Sequence, residues 1–421
     1  MKTDDVEKLD GKGGALTRRG FVKGGAAAGA ATWGFQVVPR HVIGQGQTPP
    51  SEMVGAALIG AGGRGPSTYS DLTRKHGLPI RKIADCDVKY VGSEDGKTRY
   101  SDFRRLLERK DLDVVAIATP PHWHALISIA AMEAGKDVVC EKPMTRTIAE
   151  GRAVVEAAER TKRIYQIGTY GRFGQQGKEK LEMRKMMQLG FAKGRGVRYL
   201  RRGGFKVRQW SGPVNVAPQE VPANLNWDLY CGPSPLKPYQ PPRFGGMHRG
   251  YWDYDGGGLS DMGQHYLDPL TFLYGKDDTG PVEIEAHAPP AHPEVVGLWG
   301  WVKHTFADGF ELILESGEWG ELTGLKTVGL RKEMLTDEER ATLAATPDPE
   351  PLVGFGEAVK TRKLAGGNAS VAHRTCSLLH LTNIAIRTGR KLKWDPEKEV
   401  FEGDEEANRL VDQPMRAPWH L

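Results

Sequence analysis

The spacing of apolar positions changes along the chain. Val54-Gly-Ala-Ala-Leu-Ile59, Asp113-Val-Val-Ala-Ile-Ala-Thr119 and Asp137-Val-Val-Cys140 are short and nearly unbroken apolar runs. Runs without a polar alternate predict strands buried on both faces, as in a parallel sheet. Ile80–Ala84 is a further strand, ending in Asp85-Cys-Asp87-Val88. Between and after these runs the period lengthens. Ala125–Ala134 reads as a buried helix with Gly135 at C′, and Thr147-Ile-Ala-Glu150 as a capping box before a helix carrying Ala149, Ala153, Val154, Ala157 and Ala158. Strand–helix alternation predicts a doubly wound α/β sheet, in which ligands sit at the carboxyl ends of strands. Farther on, Asp308-Gly309 between apolar runs predicts a hairpin. Val371–Arg387 predicts a helix, and the charged, Pro-bearing stretch 336–350 a surface loop. There is no internal repeat.

Chemistry-bearing residues collect at the predicted strand ends. Gly60-Ala-Gly-Gly-Arg-Gly65 follows the first strand at once and satisfies G-x-G-x-x-G. The spacing gives a tight turn at Gly60, close backbone approach to a pyrophosphate at Gly62 and helix packing at Gly65. An acid ending the second strand suits the adenosine ribose hydroxyls and repels a 2′-phosphate, favouring NAD over NADP; Asp87 is the first candidate and Asp85 the second. Thr119 and Lys142 fall at two further strand ends. His122 and His124 lie in the exit loop Pro120–His124, and no carboxylate–His–Cys cluster completes a metal site around them.

A second constellation spans 253–268. Gly256–Gly258 precede a predicted helix in which Asp261 and His265, spaced i, i+4, share one face. A carboxylate beside an imidazole orients its tautomer and raises its basicity, although the same pair also serves as a helix pin. Asp268 is two turns on from Asp261. Trp210, Trp227, Tyr251, Trp252 and Tyr254 are either sugar-stacking platforms or core; His248 and Arg249 suit hydroxyl or carboxylate contacts.

Composition excludes several classes. Of 421 residues, 39% are hydrophobic and 26% charged, which fits a globular chain rather than a polytopic membrane or disordered one. Gly, at 53 residues, is about twice its average share of roughly 7%, without a collagen period. Residues 1–50 hold seven Lys/Arg and four acids, so only +2 of the net +5 remains for 51–421, too little for a nucleic-acid footprint. Cys86, Cys140, Cys231 and Cys376 are widely spaced and read as buried small hydrophobes. Thr17-Arg-Arg-Gly-Phe-Val-Lys23, followed by the Ala/Gly-rich run Gly24–Val38, reads as a twin-arginine export signal, with 44–51 as linker. That route carries folded proteins to a compartment with little free dinucleotide, so the expectation is a periplasmic or otherwise exported protein holding its cofactor tightly.

With these residues in view, the chain resembles the Gfo/Idh/MocA oxidoreductases over nearly all of 52–421. The most specific segments are Ile59–Gly65, Thr119-Pro-Pro-His-Trp-His124, Glu141-Lys-Pro143 and the Gly-rich run ending in Asp261 and His265. Asn226–Pro233 and the tail from Asp404 to Trp419 resemble the family's exported branch. The resemblance implies an N-terminal Rossmann domain (51–169 here) and a C-terminal α/β domain with a large, mostly antiparallel open sheet (170–421), usually as a homo-oligomer. It implies that Lys142, Asp261 and His265 are catalytic. Gly60, Gly62, Gly63, Arg64, Gly65, Asp87, Thr119, Pro120, His122, His124, Glu141 and Lys142 are then candidate NAD contacts. Tyr170, Arg249, Trp252, Asp261 and His265 are candidate substrate contacts.

Some positions depart from the family pattern. Pro121 stands where Asp is common, Asp85 where a hydrophobe is usual, Gln166-Ile-Gly-Thr-Tyr170 replaces Gln-Val-Gly-x-Gln, and 87–100 is short. Three readings follow. The first is an exported NAD-dependent oxidoreductase acting on a sugar or polyol hydroxyl. The second is an NAD-dependent glycoside hydrolase using transient oxidation, elimination and re-reduction. The third is a non-catalytic sugar- or cofactor-binding protein. The intact Glu141-Lys-Pro143 favours the first.

Overall fold

A computed structural model of the chain describes residues 52–205 and 212–421. The export signal and Trp210 lie outside the described residues.

The first strand, β1 (Val54–Ile59), runs through the glycine loop into α1 (Gly65–Arg74). Next come β2 (Ile80–Cys86), β3 (Arg99–Tyr100) and the short α2 (Phe103–Leu107). Only a three-residue 3-10 turn, Val88–Tyr90, stands between β2 and β3, so the short connection noted in the sequence carries no crossover α-helix. β4 (Val114–Ile117), α3 (His124–Glu133), β5 (Asp137–Cys140), α4 (Ile148–Thr161) and β6 (Tyr165–Ile167) complete a parallel sheet of order β3-β2-β1-β4-β5-β6. The unbroken apolar runs have the expected cause. In β1, Ala57 and Ile59 enter one core while Ala56 and Leu58 enter another across the sheet.

The remaining elements are α5 (Lys178–Gln188), β7 (Arg198–Arg202), α6 (Trp227–Cys231), α7 (Gly257–Leu273) and β8 (Pro281–His287). They continue as β9 (Trp301–Phe306), β10 (Glu311–Glu315), α8 (Asp337–Ala345), α9 (Phe355–Thr361) and α10 (Ala369–Thr388). The chain ends in β11 (Leu392–Asp395), β12 (Val400–Phe401) and α11 (Glu405–Asn408). The second sheet has the order β12-β11-β8-β9-β10-β7 and is antiparallel except at β10–β7. The expected hairpin is β9–β10, with Gly309 at φ +80° in its turn.

Two local expectations are corrected. The stretch 336–350 is not a loop throughout. Thr336 and Glu339 form a complete capping box, which starts α8. At α4 the expected box is half formed: Thr147 Oγ1 accepts from Glu150 N, but the Glu150 carboxylate takes the backbone N–H of Arg146 instead of Thr147.

The late chain returns to the first sheet. Phe355, Ala358 and Ala365 pack with Ala56, Leu58, Val114, Ala116 and Val139, and Arg362 donates to both carboxylate oxygens of Asp137 at 2.7 and 2.8 Å. Helix α10 packs on α4 and α7. One continuous core therefore spans both sheets, and α7 lies beside the carboxyl ends of the first. All four cysteines are buried and free.

Candidate active site

A cleft of about 560 Å³ opens where the exit loops of β1, β2, β4 and β5 face α7. At its floor is the glycine loop. A Cβ on Gly60, at φ +90°, would stand 2.6 Å from Ala118 C and Thr119 N; one on Gly65 would stand 2.1 Å from Gly60 O. Both substitutions would drive backbone apart. Gly62 and Gly63 line the cleft, with nothing within 4 Å of a Cβ on Gly63, so the loop presents bare backbone at the start of α1.

The loop is tied to the exit of β5. Arg64 Nε donates to Glu141 Oε1 at 3.0 Å, and Thr68 Oγ1 of α1 donates to the same oxygen at 2.6 Å. Glu141 thereby couples the phosphate-type loop to Lys142, the next residue, whose peptide bond to Pro143 is cis. At the other end of the cleft, Asp87 caps the short turn by accepting from Lys89 N at 3.0 Å, with Lys89 Nζ 3.9 Å from its other oxygen. Asp85 instead pairs with Lys82 at 2.6 Å and does not line the cleft, whereas Asp87 does.

Lys142, Asp261 and His265 come together in the cleft that Gly62 and Thr119 also line. Lys142 Nζ donates to Asp261 O at 2.5 Å and to its Oδ1 at 2.9 Å; Arg249 Nε donates to that Oδ1 at 2.8 Å. Burial opposes charge on Asp261, but Lys142 and Arg249 outweigh it and hold the carboxyl below its ordinary value. The expected Asp261–His265 hydrogen bond is absent: the carboxylate is committed to the two cations. His265 lies one turn on, its basicity lowered by burial and then by the charge of Lys142, so it is neutral at neutral pH. Thr119, Pro120, Arg64, Glu141 and Arg249 also line the cleft.

Other candidates are displaced. His122 and His124 are completely buried beneath the cleft rather than facing it. His122 Nε2 lies 2.7 Å from Tyr230 O, while His124 lies 2.7 Å from Pro143 O and 2.8 Å from Thr119 O, stapling the β4 and β5 exits together. Gly65 acts by packing, below the surface of the cleft. Tyr170 is outside it, its hydroxyl 3.3 Å from His76 Nε2 and its ring under Lys75 Nζ. Trp252 is buried, donates to His292 O at 3.0 Å and faces a separate small chamber. Asp268, two turns farther along α7, is sealed against Arg172. Trp227, Tyr251 and Tyr254 form a buried aromatic cluster and are core rather than platforms.

Three of the lining residues that the sequence left unmarked bear on the chemistry. Tyr230 and Phe244 supply aromatic wall, and Asp255 supplies a buried carboxyl that desolvation pushes up to about 7. Asp255 sits directly before Gly256–Gly258, where an acid in a Gly-rich turn was the available signal. The two segments resembling the exported branch meet here as well. Trp123 lines the cleft, donates to Leu229 O at 3.0 Å and packs edge-on against Trp419, while Arg416 pairs with Asp228 at 2.7 Å.

Comparison with known proteins agrees with this layout. The profile described as "Oxidoreductase family, NAD-binding Rossmann fold" matches residues 54–169, and "Oxidoreductase family, C-terminal alpha/beta domain" matches 181–421. The chain belongs to the Gfo/Idh/MocA oxidoreductase family. Its first sheet is accordingly an NAD-binding Rossmann domain. Among curated relatives, a glycosyl hydrolase family 109 protein of Shewanella baltica is 32% identical over 177 residues, 35% of this chain and 38% of that protein. A levoglucosan dehydrogenase of Pseudarthrobacter phenanthrenivorans is 41% identical over 87 residues, 20% of this chain and 22% of that one. The chain thus matches well under half the length of these relatives. The WlbA dehydrogenase of Bordetella pertussis, solved with NADH and UDP-GlcNAcA, shares the fold at a TM-score of 0.51 and 14% identity, over 82% of this chain and 99% of that one.

Proposed function

We propose that this family member is an exported NAD-dependent oxidoreductase that acts on a hydroxyl of a sugar, polyol or glycoside and keeps its cofactor bound through each cycle. The observation that carries the reading is Lys142 held on Asp261, with His265 one helical turn away, in the same cleft as the bare glycine loop and Asp87. That cleft fits a dinucleotide: open backbone at Gly62 and Gly63 for the pyrophosphate, Asp87 for the ribose hydroxyls and Glu141–Lys142 at the nicotinamide end. Bound NAD supplies a hydride acceptor for the carbon bearing the substrate hydroxyl. His265, neutral at neutral pH, accepts the hydroxyl proton. Lys142 donates to the oxygen as negative charge develops on it, and Asp261 fixes the ammonium direction while Arg249 helps to hold the carboxylate.

The family 109 relative supports a second reading, transient oxidation followed by loss of an aglycone and re-reduction. The twin-arginine segment and the family's habit of oligomerising support an exported homo-oligomer. The test begins with folded protein purified without added cofactor. Denaturation should release NAD(H), detected by mass spectrometry; a protein that neither carries nor takes up NAD would defeat both readings. Incubation with sugars, polyols and aryl glycosides should then give oxidised product from the first two. Free aglycone without net NADH would replace the dehydrogenase with the hydrolase.

A further inference from the structure

Behind the cleft lies a second chamber of about 30 Å³, roughly the room of one water molecule or one halide ion. Asp255 lines both cavities and forms the wall between them. The chamber is polar, and two guanidinium side chains, from Arg146 and Arg387, enter it.

Neither guanidinium is satisfied by the described residues. The Arg146 side chain is 4% exposed. Its Nη1 donates to Asp253 O at 3.0 Å, but Nε and Nη2 are buried with no hydrogen-bond acceptor. Glu150 Oε1 stands 3.7 Å from Nε, beyond hydrogen-bond range, and is itself unpartnered. Arg387, on α10, lies 5.0 Å from the Trp252 ring centroid, and its guanidinium has no hydrogen bond to a described residue. Burial first, and then Arg146, make its charge harder to hold.

The surrounding charges do not close the balance. Asp253 is engaged by Lys237 at 3.3 Å and Arg243 at 3.4 Å. His380 lines the chamber but is completely buried and neutral, its pKa pushed down to about 3 by desolvation. Asp255 is held up near 7 by burial, and its Oδ1 accepts from Gly256 N. Glu150, with Asp253 and Asp412 acting on the same group of charges, offsets part of this, but the buried Nε and Nη2 of Arg146 still lack an acceptor, which is costly unless a ligand supplies one.

We infer that the chamber binds one small monovalent inorganic anion of the halide class, held between Arg146 and Arg387. The small volume favours a monatomic anion over phosphate, sulfate or a sugar carboxylate. Asn383 and Ser260, already bonded to each other at 3.2 Å, complete a polar wall. Because Asp255 also lines the cleft, the bound anion disfavours its ionised form and so reaches the electrostatics beside Asp261.

Bromide is the deciding probe. Crystals of the full chain equilibrated with tens of millimolar bromide should give an anomalous peak within hydrogen-bond distance of both guanidiniums. Replacing gluconate by chloride at constant ionic strength should raise Tm by about 1–2 °C, by mass action on the folded state. Arg387→Met should abolish the peak and the shift, and Arg387→Lys should keep the peak. Absence of a peak in the wild-type protein overturns the inference whatever the variants do. A peak that appears only at molar bromide is binding at crystal concentration only, and overturns it too.

Discussion

Helix α7 carries two aspartates engaged by cations, and they differ in one respect. Asp261, near its start, meets Lys142 and Arg249 with its side chain 13% exposed. Asp268, two turns on, meets Arg172 at 2.7 Å with the two side chains 0% and 1% exposed, and Asp277 and Arg184 extend that network. The chemistry of the two pairs is nearly the same. The front pair borders a cleft, so a substrate hydroxyl can compete for Lys142. The rear pair is sealed, and its groups have no partner to exchange. A carboxylate–cation pair becomes catalytic through access, and its residue types alone do not decide which it is.

The largest contrast comes from breaking the rear pair. Arg172→Met strands Asp268 in the interior and leaves Asp277 to Arg184, and removal of one partner from a buried pair costs about 3–5 kcal/mol. The expected result is a fall of several degrees in Tm, with NAD retained at temperatures where the protein is folded. An unchanged Tm would show that water reaches Asp268 and would dissolve the distinction between the two ends.

Breaking the front pair should do the reverse. Lys142→Met is expected to lower turnover by about 10²–10³-fold, the usual effect of losing a donor to a developing oxyanion. Tm should change little, because Lys142 is in a cleft and its partner Asp261 keeps Arg249. Turnover is measured on the substrate that the sugar and glycoside panel identifies, and cofactor content by release on denaturation. Turnover that survives the substitution would move the chemistry away from α7.

The sequence made the front pair legible and left the rear one ambiguous for a physical reason. Lys142 follows an apolar strand at a position where doubly wound sheets place ligands, and i, i+4 spacing puts Asp261 and His265 on one face. The same helical arithmetic places Asp268 near that face, but α7 is covered by Arg172 at that point, a contact across 96 residues. Long-range packing also hid the return of Phe355–Ala365 to the first sheet. It hid the burial of His122, His124 and Trp252, which look functional in sequence yet each hydrogen-bond at least one backbone carbonyl. The misread 336–350 stretch is different, because its signal was local. Thr336 and Glu339 have capping-box spacing, set among prolines and charges that signal a loop. Asp255 was hidden by its own burial, which gives it an interesting proton affinity and no distinguishing spacing.

The smallest effect concerns pH, and it separates the cleft from the core by sign and by variant. In the proposed mechanism His265 must be unprotonated to accept the substrate proton, and burial and then the charge of Lys142 hold its pKa below the ordinary histidine value. Turnover, as kcat/KM, should therefore be nearly flat from pH 7 to 8.5 in this group's titration, within about 2-fold, and fall as acid passes through the lowered pKa. Stability also falls on the acid side, from other groups. His304 and His380 are buried and neutral, each pushed down to about 3, while their unfolded values are near 6.5. Between those values the unfolded chain binds more protons than the native one, so stability present above 6.5 is lost as the pH drops. The two acid limbs overlap, and a substitution pulls them apart. His265→Asn should remove the acid limb from the residual kcat/KM profile yet leave the acid fall of Tm in place, whereas His304→Gln should soften the fall of Tm and leave the kcat/KM limb. If His265→Asn instead flattens the Tm curve and keeps the kinetic limb, His265 belongs with the structural histidines and the cleft's base is another group, with Asp255 the first to test.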